Sequence, residues 1–89
     1  MEIVFHKRAV KDIEFWKNSG NQTIMNRISQ LLEDITKHPF SGIGKPEPLK
    51  NQYSGLWSRR INKEHRIVYK VEDGMVRVLV LSMRYHYSK

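Results

Sequence analysis

The chain has 89 residues, 39% of them hydrophobic and 28% charged, with no cysteine. That length accommodates one domain over 1–89 with a small core and no separate cofactor domain, and the missing cysteine excludes a disulfide framework, a thiol nucleophile and a thiolate zinc site. Sixteen Lys and Arg against nine Asp and Glu leave a net charge of +7, which points to an anionic partner.

Glu2 to His6 reads as a short strand. From Lys7 the period becomes helical, with Ala9, Val10, Ile13 and Trp16 on one side, and Asn18-Ser19-Gly20 ends it with a C-cap signal. A second helix is expected over Gln22 to Lys37. Its apolar stripe is Ile24, Ile28, Leu31 and Ile35 with Met25 and Leu32, capped by Asn21 or Thr23 and stopped before Pro39. Phe40 to Ser54 reads as a loop punctuated by Gly42, Gly44, Pro46 and Pro48. Period two then returns in three strands, Leu56 to Ile61, His65 to Val71 and Met75 to Tyr87, joined by turns at Asn62-Lys63-Glu64 and Glu72-Asp73-Gly74. The expected fold is α+β, a small antiparallel sheet packed against two N-terminal helices, with the first strand at an edge.

The excess charge is lopsided. Residues 1–44 hold six basic and five acidic side chains, net +1, whereas 45–89 hold ten and four, net +6. The basic residues do not fall on one amphipathic helix, which favours nucleic acid over a membrane surface. No apolar run approaches the ~18 residues that span a bilayer. Met1 to Arg8 lacks the order of a secretory signal, so a cytoplasmic location is expected.

His6, His38, His65 and His86 show no metal-ligand spacing, and neither a phosphate-binding Gly-rich loop nor a serine hydrolase signature is present. The expectation is a site without metal or cofactor. In Gly44-Lys45-Pro46-Glu47-Pro48-Leu49-Lys50 two prolines stiffen the backbone around one carboxylate. Glu47 is either a solvated loop residue or a general base. If Asn62-Lys63-Glu64 is a three-residue turn, Ile61 faces His65 and Arg60 lies opposite Arg66 on one face. Like charges so placed are unfavourable without an anion between them, so Arg59, Arg60 and Arg66 read as a phosphate site or as exposed, splayed arginines. Arg84 and His86 share a face. Pairing Val71 with Met75 would put them on the face of Arg66, and a two-residue Asp73-Gly74 turn would separate them. Tyr85 and Tyr87 suit base stacking or partial burial. Tyr69 belongs to the core, and Trp57 to the core or to a homodimer contact.

The runs Phe40-Ser41-Gly42-Ile43-Gly44-Lys45-Pro46-Glu47-Pro48-Leu49-Lys50, Ser54-Gly55-Leu56-Trp57-Ser58-Arg59-Arg60-Ile61, Glu64-His65-Arg66-Ile67-Val68-Tyr69 and Arg84-Tyr85-His86-Tyr87 resemble the YoeB/Txe toxins of the RelE superfamily, over essentially the whole chain. The resemblance implies a microbial-RNase-like fold and a toxin of a type II toxin–antitoxin module. Such a toxin cuts mRNA in the ribosomal A site and is held by a cognate antitoxin of the YefM/Axe kind. It implies Glu47 as general base, Arg66 as stabiliser of the phosphorane, and His86 with Tyr87 at the leaving group. Lys50 and Arg60 match positions near the scissile phosphate, and Glu64 a charged neighbour of that site. Ser88-Lys89 extends past the tyrosine on which family chains usually end, and the last hairpin is longer by an even number of residues. An RNA- or DNA-binding module without catalysis fits the charge equally well, but it has no use for a carboxylate in an anion groove. A ribosome-independent RNase would share the same residues.

Overall fold

The computed structural model describes residues 1–81. In chain order these form β1 (Glu2–Phe5), α1 (Lys7–Ser19), α2 (Gln22–Lys37), β2 (Glu47–Pro48), a 3-10 turn (Asn51–Tyr53), β3 (Trp57–Arg60), β4 (Arg66–Glu72) and β5 (Met75–Val80). The five strands make one sheet in the order β1-β5-β4-β3-β2. β1 pairs with β5 in parallel, and every other neighbour is antiparallel. The sheet is therefore mixed, whereas the pattern of apolar residues suggested an antiparallel one. The α1–α2 hairpin stands between β1 and the meander, and it returns the chain so that β1 runs alongside β5.

Both helices form where the stripes place them. Gly20 closes α1 in the left-handed conformation (φ 71°) with its N–H donating to Lys17 O, and the Asn21 side chain caps α2 by accepting from Ile24 N. A cap of this kind stabilises a helix by about 1 kcal/mol. The stripe Ile24, Ile28, Leu31, Ile35 packs with Ala9 and Trp16 against Ile61, Ile67, Tyr69, Val76 and Val78, all buried in one core on the helix side of the sheet. No helix is long and apolar enough to cross a membrane among the described residues.

Two buried polar contacts tie α1 to the end of β5. Trp16 Nε1 donates to Leu81 O at 3.2 Å, and Asp12 Oδ2 accepts from Leu81 N at 2.9 Å. Leu81 has left the ladder, and these side chains satisfy backbone groups that would otherwise be buried without partners.

The β4–β5 hairpin closes through a two-residue turn, Asp73-Gly74, both with positive φ (53° and 72°), and pairs Glu72 with Met75 and Val71 with Val76. Two such residues in succession match the twist of the strands they join. Alone, that register would place odd-numbered residues of β5 on the face that carries Arg66. A shift between Val68 and Tyr69 reverses this: Tyr69 pairs with Val78 and Val68 with Val80, so Leu79 is an extra residue. Beyond the bulge Val80 joins Val68 and Leu49 on the face away from the helices, and Leu81 joins the helix-side core.

Candidate active site on the open face of the sheet

Side chains alternate across a strand, so the registers decide what meets on the open face. Glu47 pairs with Ser58, Ser58 with Val68, and Val68 with Val80, giving one row across four strands. Two residues along, Arg60 pairs with Arg66, as the three-residue turn requires. Ile61 N donates to His65 O, and Asn62 Oδ1 accepts from Glu64 N and His65 N to close that turn. Arg60 N points the other way, to Gly44 O at 2.7 Å. Arg60 and Arg66 thus form a non-hydrogen-bonded pair, the type with Cα atoms about 4.5 Å apart and side chains close together. Glu47 stands two strands and two residues from Arg66 on the same face, a backbone separation of about 12 Å.

The segment bearing Glu47 was expected to be loop. It contains β2, two residues long, which no periodicity could announce. Gly44 (φ 79°) and Lys45 (φ 53°) are both left-handed, and Pro46 follows. A non-glycine residue held there costs about 1–3 kcal/mol and persists only where its surroundings impose it. The result is a sharp turn that lays Glu47 beside Ser58. Leu49 then packs on Val68 and Val80, with Tyr53, Leu56 and Leu79 around them, forming an apolar floor beside the charged end of the face.

Glu47, Lys50, Arg60 and Glu64 are exposed and Arg66 is half-buried. Among the described residues, none of these side chains is joined to another by a hydrogen bond or an ion pair. Lys50 immediately precedes the 3-10 turn, and Glu64 lies in the β3–β4 turn. Ser58 is 1% exposed, and its hydroxyl, directly opposite Glu47, has no partner among the described residues. Arg84, Tyr85, His86, Tyr87 and the Ser88-Lys89 extension lie outside the described residues.

Arg59 is a correction. Expected to bind phosphate beside Arg60, it is instead fully buried on the helix side, 0% exposed. Its Nε donates to Tyr69 Oη at 3.2 Å, one terminal nitrogen to Asp34 Oδ2 and to Ile43 O (3.1 Å), and the other to His38 O and to Ser41 O (2.8 Å). All five guanidinium donors are engaged, so none is available to a ligand. Tyr69 Oη in turn donates to Pro39 O at 2.7 Å, and Asp34 Oδ2 also accepts from Ile43 N at 3.1 Å. The Arg59 hydrogen bond, helped by Ile43 N, holds the Asp34 carboxyl below the ordinary carboxylate range against a smaller opposing effect of burial. Burial pushes the Tyr69 phenol up, and Arg59 pulls it partly back. The signal was present in the sequence: Arg59 sits at period two between Trp57 and Ile61, both of the apolar face.

The family model for "YoeB-like toxin of bacterial type II toxin-antitoxin system" matches residues 5–87. Toxin YoeB of Synechocystis sp. is 44% identical over 89 residues, covering 100% of each chain. Among solved structures, the YoeB/ParE toxin of Agrobacterium tumefaciens superposes with a TM-score of 0.89 at 37% identity, over 96% of this chain and 100% of that one. A YoeB–YefM heterotetramer of Staphylococcus aureus contains a chain similar to this one, with a TM-score of 0.84 at 36% identity over 98% of both.

Proposed function

The chain belongs to the YoeB-like toxins of bacterial type II toxin–antitoxin systems, and from that premise we propose that it is a ribosome-dependent endoribonuclease that cuts mRNA in the A site. The observation that carries this reading is the convergence of Glu47, Arg60 and Arg66. Two independent registers bring one carboxylate and two opposed cations to a single open face, with none of them engaged by another described residue. A face with two arginines side by side, unpaired among the described residues, has a use for an anion, and a carboxylate across from them has a use for a proton.

The chemistry follows from those groups. Ionised Glu47 takes the proton of an RNA 2′-OH, and the 2′-oxygen attacks the adjacent 3′-phosphorus. Negative charge grows on the non-bridging oxygens, where Arg66, Arg60 and Lys50 are preorganised counter-charge. The P–O5′ bond breaks, and His86, an imidazole and so suited by type to general acid work near neutral pH, protonates the 5′-oxygen, with Tyr87 assigned to the same leaving group. The products are a 2′,3′-cyclic phosphate and a 5′-OH. General acid–base catalysis contributes about 10²–10⁴-fold, and holding the mRNA in line on the ribosome supplies a further ~7–11 kcal/mol.

The partners are the 70S ribosome with its mRNA and a YefM-like antitoxin. The Staphylococcus aureus relative is described as a heterotetrameric complex with YefM, and a net charge of +7 suits a largely acidic antitoxin segment that folds over the groove at Arg60 and Arg66. End-group analysis of mRNA cut on programmed ribosomes tests the reaction. A cyclic phosphate with a 5′-OH, and loss of cutting when the target nucleotide is 2′-deoxy, are expected. A 3′-OH with a 5′-phosphate would mean that water was the nucleophile, as in metal-assisted nucleases.

A further inference from the structure

We propose that Arg59 is the positioning residue for Glu47: its buried guanidinium, bound to Asp34, Tyr69 and three loop carbonyls, fixes the loop that sets where Glu47 stands against Arg60 and Arg66. The inference rests on the reading of Glu47 as general base. Arg59 touches no substrate from the helix side of the sheet, so it acts through the backbone.

The path is short. Arg59 gathers the carbonyls of His38, Ser41 and Ile43, and with them the whole turn between α2 and the Glu47 segment. Asp34 holds the same turn from α2 by accepting from Ile43 N. The approach is close enough that a Cβ on Gly42 would stand 2.0 Å from Asp34 Oδ2, and one on Gly44 would stand 2.6 Å from Leu31 Cδ2. Gly44 O is then fixed by Arg60 N, and only Lys45 and Pro46 separate it from Glu47. Lys45 is left-handed (φ 53°), a conformation that needs an external constraint, and the anchored turn supplies it. Ser58 and Arg60, the neighbours of Arg59 in β3, point to the opposite face, one opposite Glu47 and the other opposite Arg66. One residue thus connects the loop, the base and the cation pair. It needs the geometry of a planar five-donor fork, which lysine lacks.

The test is single-turnover mRNA cleavage on programmed ribosomes by Arg59→Lys, alone and combined with Glu47→Gln, with amide hydrogen exchange on the same proteins. A displacement of ~1 Å is enough for ~10²-fold in rate, so the cleavage step is expected to slow by about that factor. Half-saturation by ribosomes should stay within about twofold, since exposed binding groups are untouched. In the Glu47→Gln background the same substitution should change the residual rate by less than about threefold, because the group it positions is already gone. Exchange over residues 41–47 should accelerate about tenfold while that of β4 holds. Should Arg59→Lys not fold, Asp34→Asn, which removes the ion pair but keeps an acceptor, carries the same expectations. An equal slowing with and without Glu47→Gln would assign Arg59 a merely structural role and overturn the inference. So would wild-type cleavage by Arg59→Lys beside a slow Glu47→Gln, with the base assignment intact. Wild-type cleavage by Glu47→Gln itself would overturn the base assignment, and the inference with it.

Discussion

Arg59 and Arg60 are adjacent in sequence, and β3 sends them to opposite faces of the sheet. On the helix side Arg59 meets five acceptors and excludes water; on the open side Arg60 meets another arginine and solvent. The difference has a physical origin. An ionised group taken out of water costs several kcal/mol unless every donor is met, so the closed face tolerates Arg59 only in a saturated cage. Two like charges at the surface cost far less because water and salt screen them, so the open face tolerates the Arg60–Arg66 pair. Position relative to the helices, and not residue type, separates the cation that holds the fold together from the cation left to solvent.

That contrast breaks if substitutions on the two faces have the same kind of effect. The largest is expected from Arg59→Ala, which leaves Asp34 and three carbonyls short of a donor and should destabilise the fold by about 3–5 kcal/mol, measurable by urea unfolding. Glu47→Gln and Arg66→Ala should do the reverse. Cleavage falls by about 10²–10⁴-fold, while stability stays within about 0.5 kcal/mol. Comparable losses of stability on both faces would abolish the distinction.

Tyr69→Phe sharpens the closed side. The phenol accepts from Arg59 and donates to Pro39 O, and removing a buried hydroxyl that serves two partners should cost about 1–3 kcal/mol. A smaller contribution comes from Asp34. Its folded-state carboxyl lies below the ordinary range, held there chiefly by Arg59. Its stabilisation is therefore complete above the unfolded value of ~3.9 and is lost as pH falls through the depressed folded value. Asp34→Asn should flatten the acid side of the stability–pH curve relative to the parent and leave the curve above pH ~6 parallel to it. An unchanged acid limb would detach Asp34 from the clamp.

The helices were legible because their stripes and caps are local: Ile24, Ile28, Leu31 and Ile35 repeat at helical spacing, and Gly20 can only be a stop. The turn at Asn62-Lys63-Glu64 was legible for the same reason, and it carried the Arg60–Arg66 pairing with it. The last hairpin was not. Asp73-Gly74 dictates one alternation and Leu79 reverses it, and nothing in a run of Val, Leu and Val marks which residue is extra. Strand direction also escaped, since β1 has the same pattern whether it runs with β5 or against it. Glu47 was singled out by its prolines and by family resemblance, not by its strand, because two residues have no period. Arg59 was misjudged by its neighbour: an Arg-Arg pair reads as a basic patch, although in a strand two consecutive side chains cannot share a face.

The smallest effect is the most discriminating. Arg60 and Arg66 oppose each other directly, and like charges so placed destabilise a sheet by a few tenths of a kcal/mol, up to about 1. Arg66→Gln should therefore make the folded protein slightly more stable at low salt while slowing cleavage by about 10²-fold or more. Glutamine is the right replacement because it keeps part of the aliphatic stem of a half-buried side chain, so lost packing does not mask the lost charge. Salt should erase the gain: the screening length falls from ~10 Å at 0.1 M to ~3 Å at 1 M, so parent and variant should converge. Added inorganic phosphate should raise the stability of the parent more than that of the variant, since an anion bound only by the folded state stabilises it by mass action. Loss of stability in Arg66→Gln at low salt would mean that Arg66 already has an acceptor that holds the fold. The open face would then be built on the same terms as the closed one.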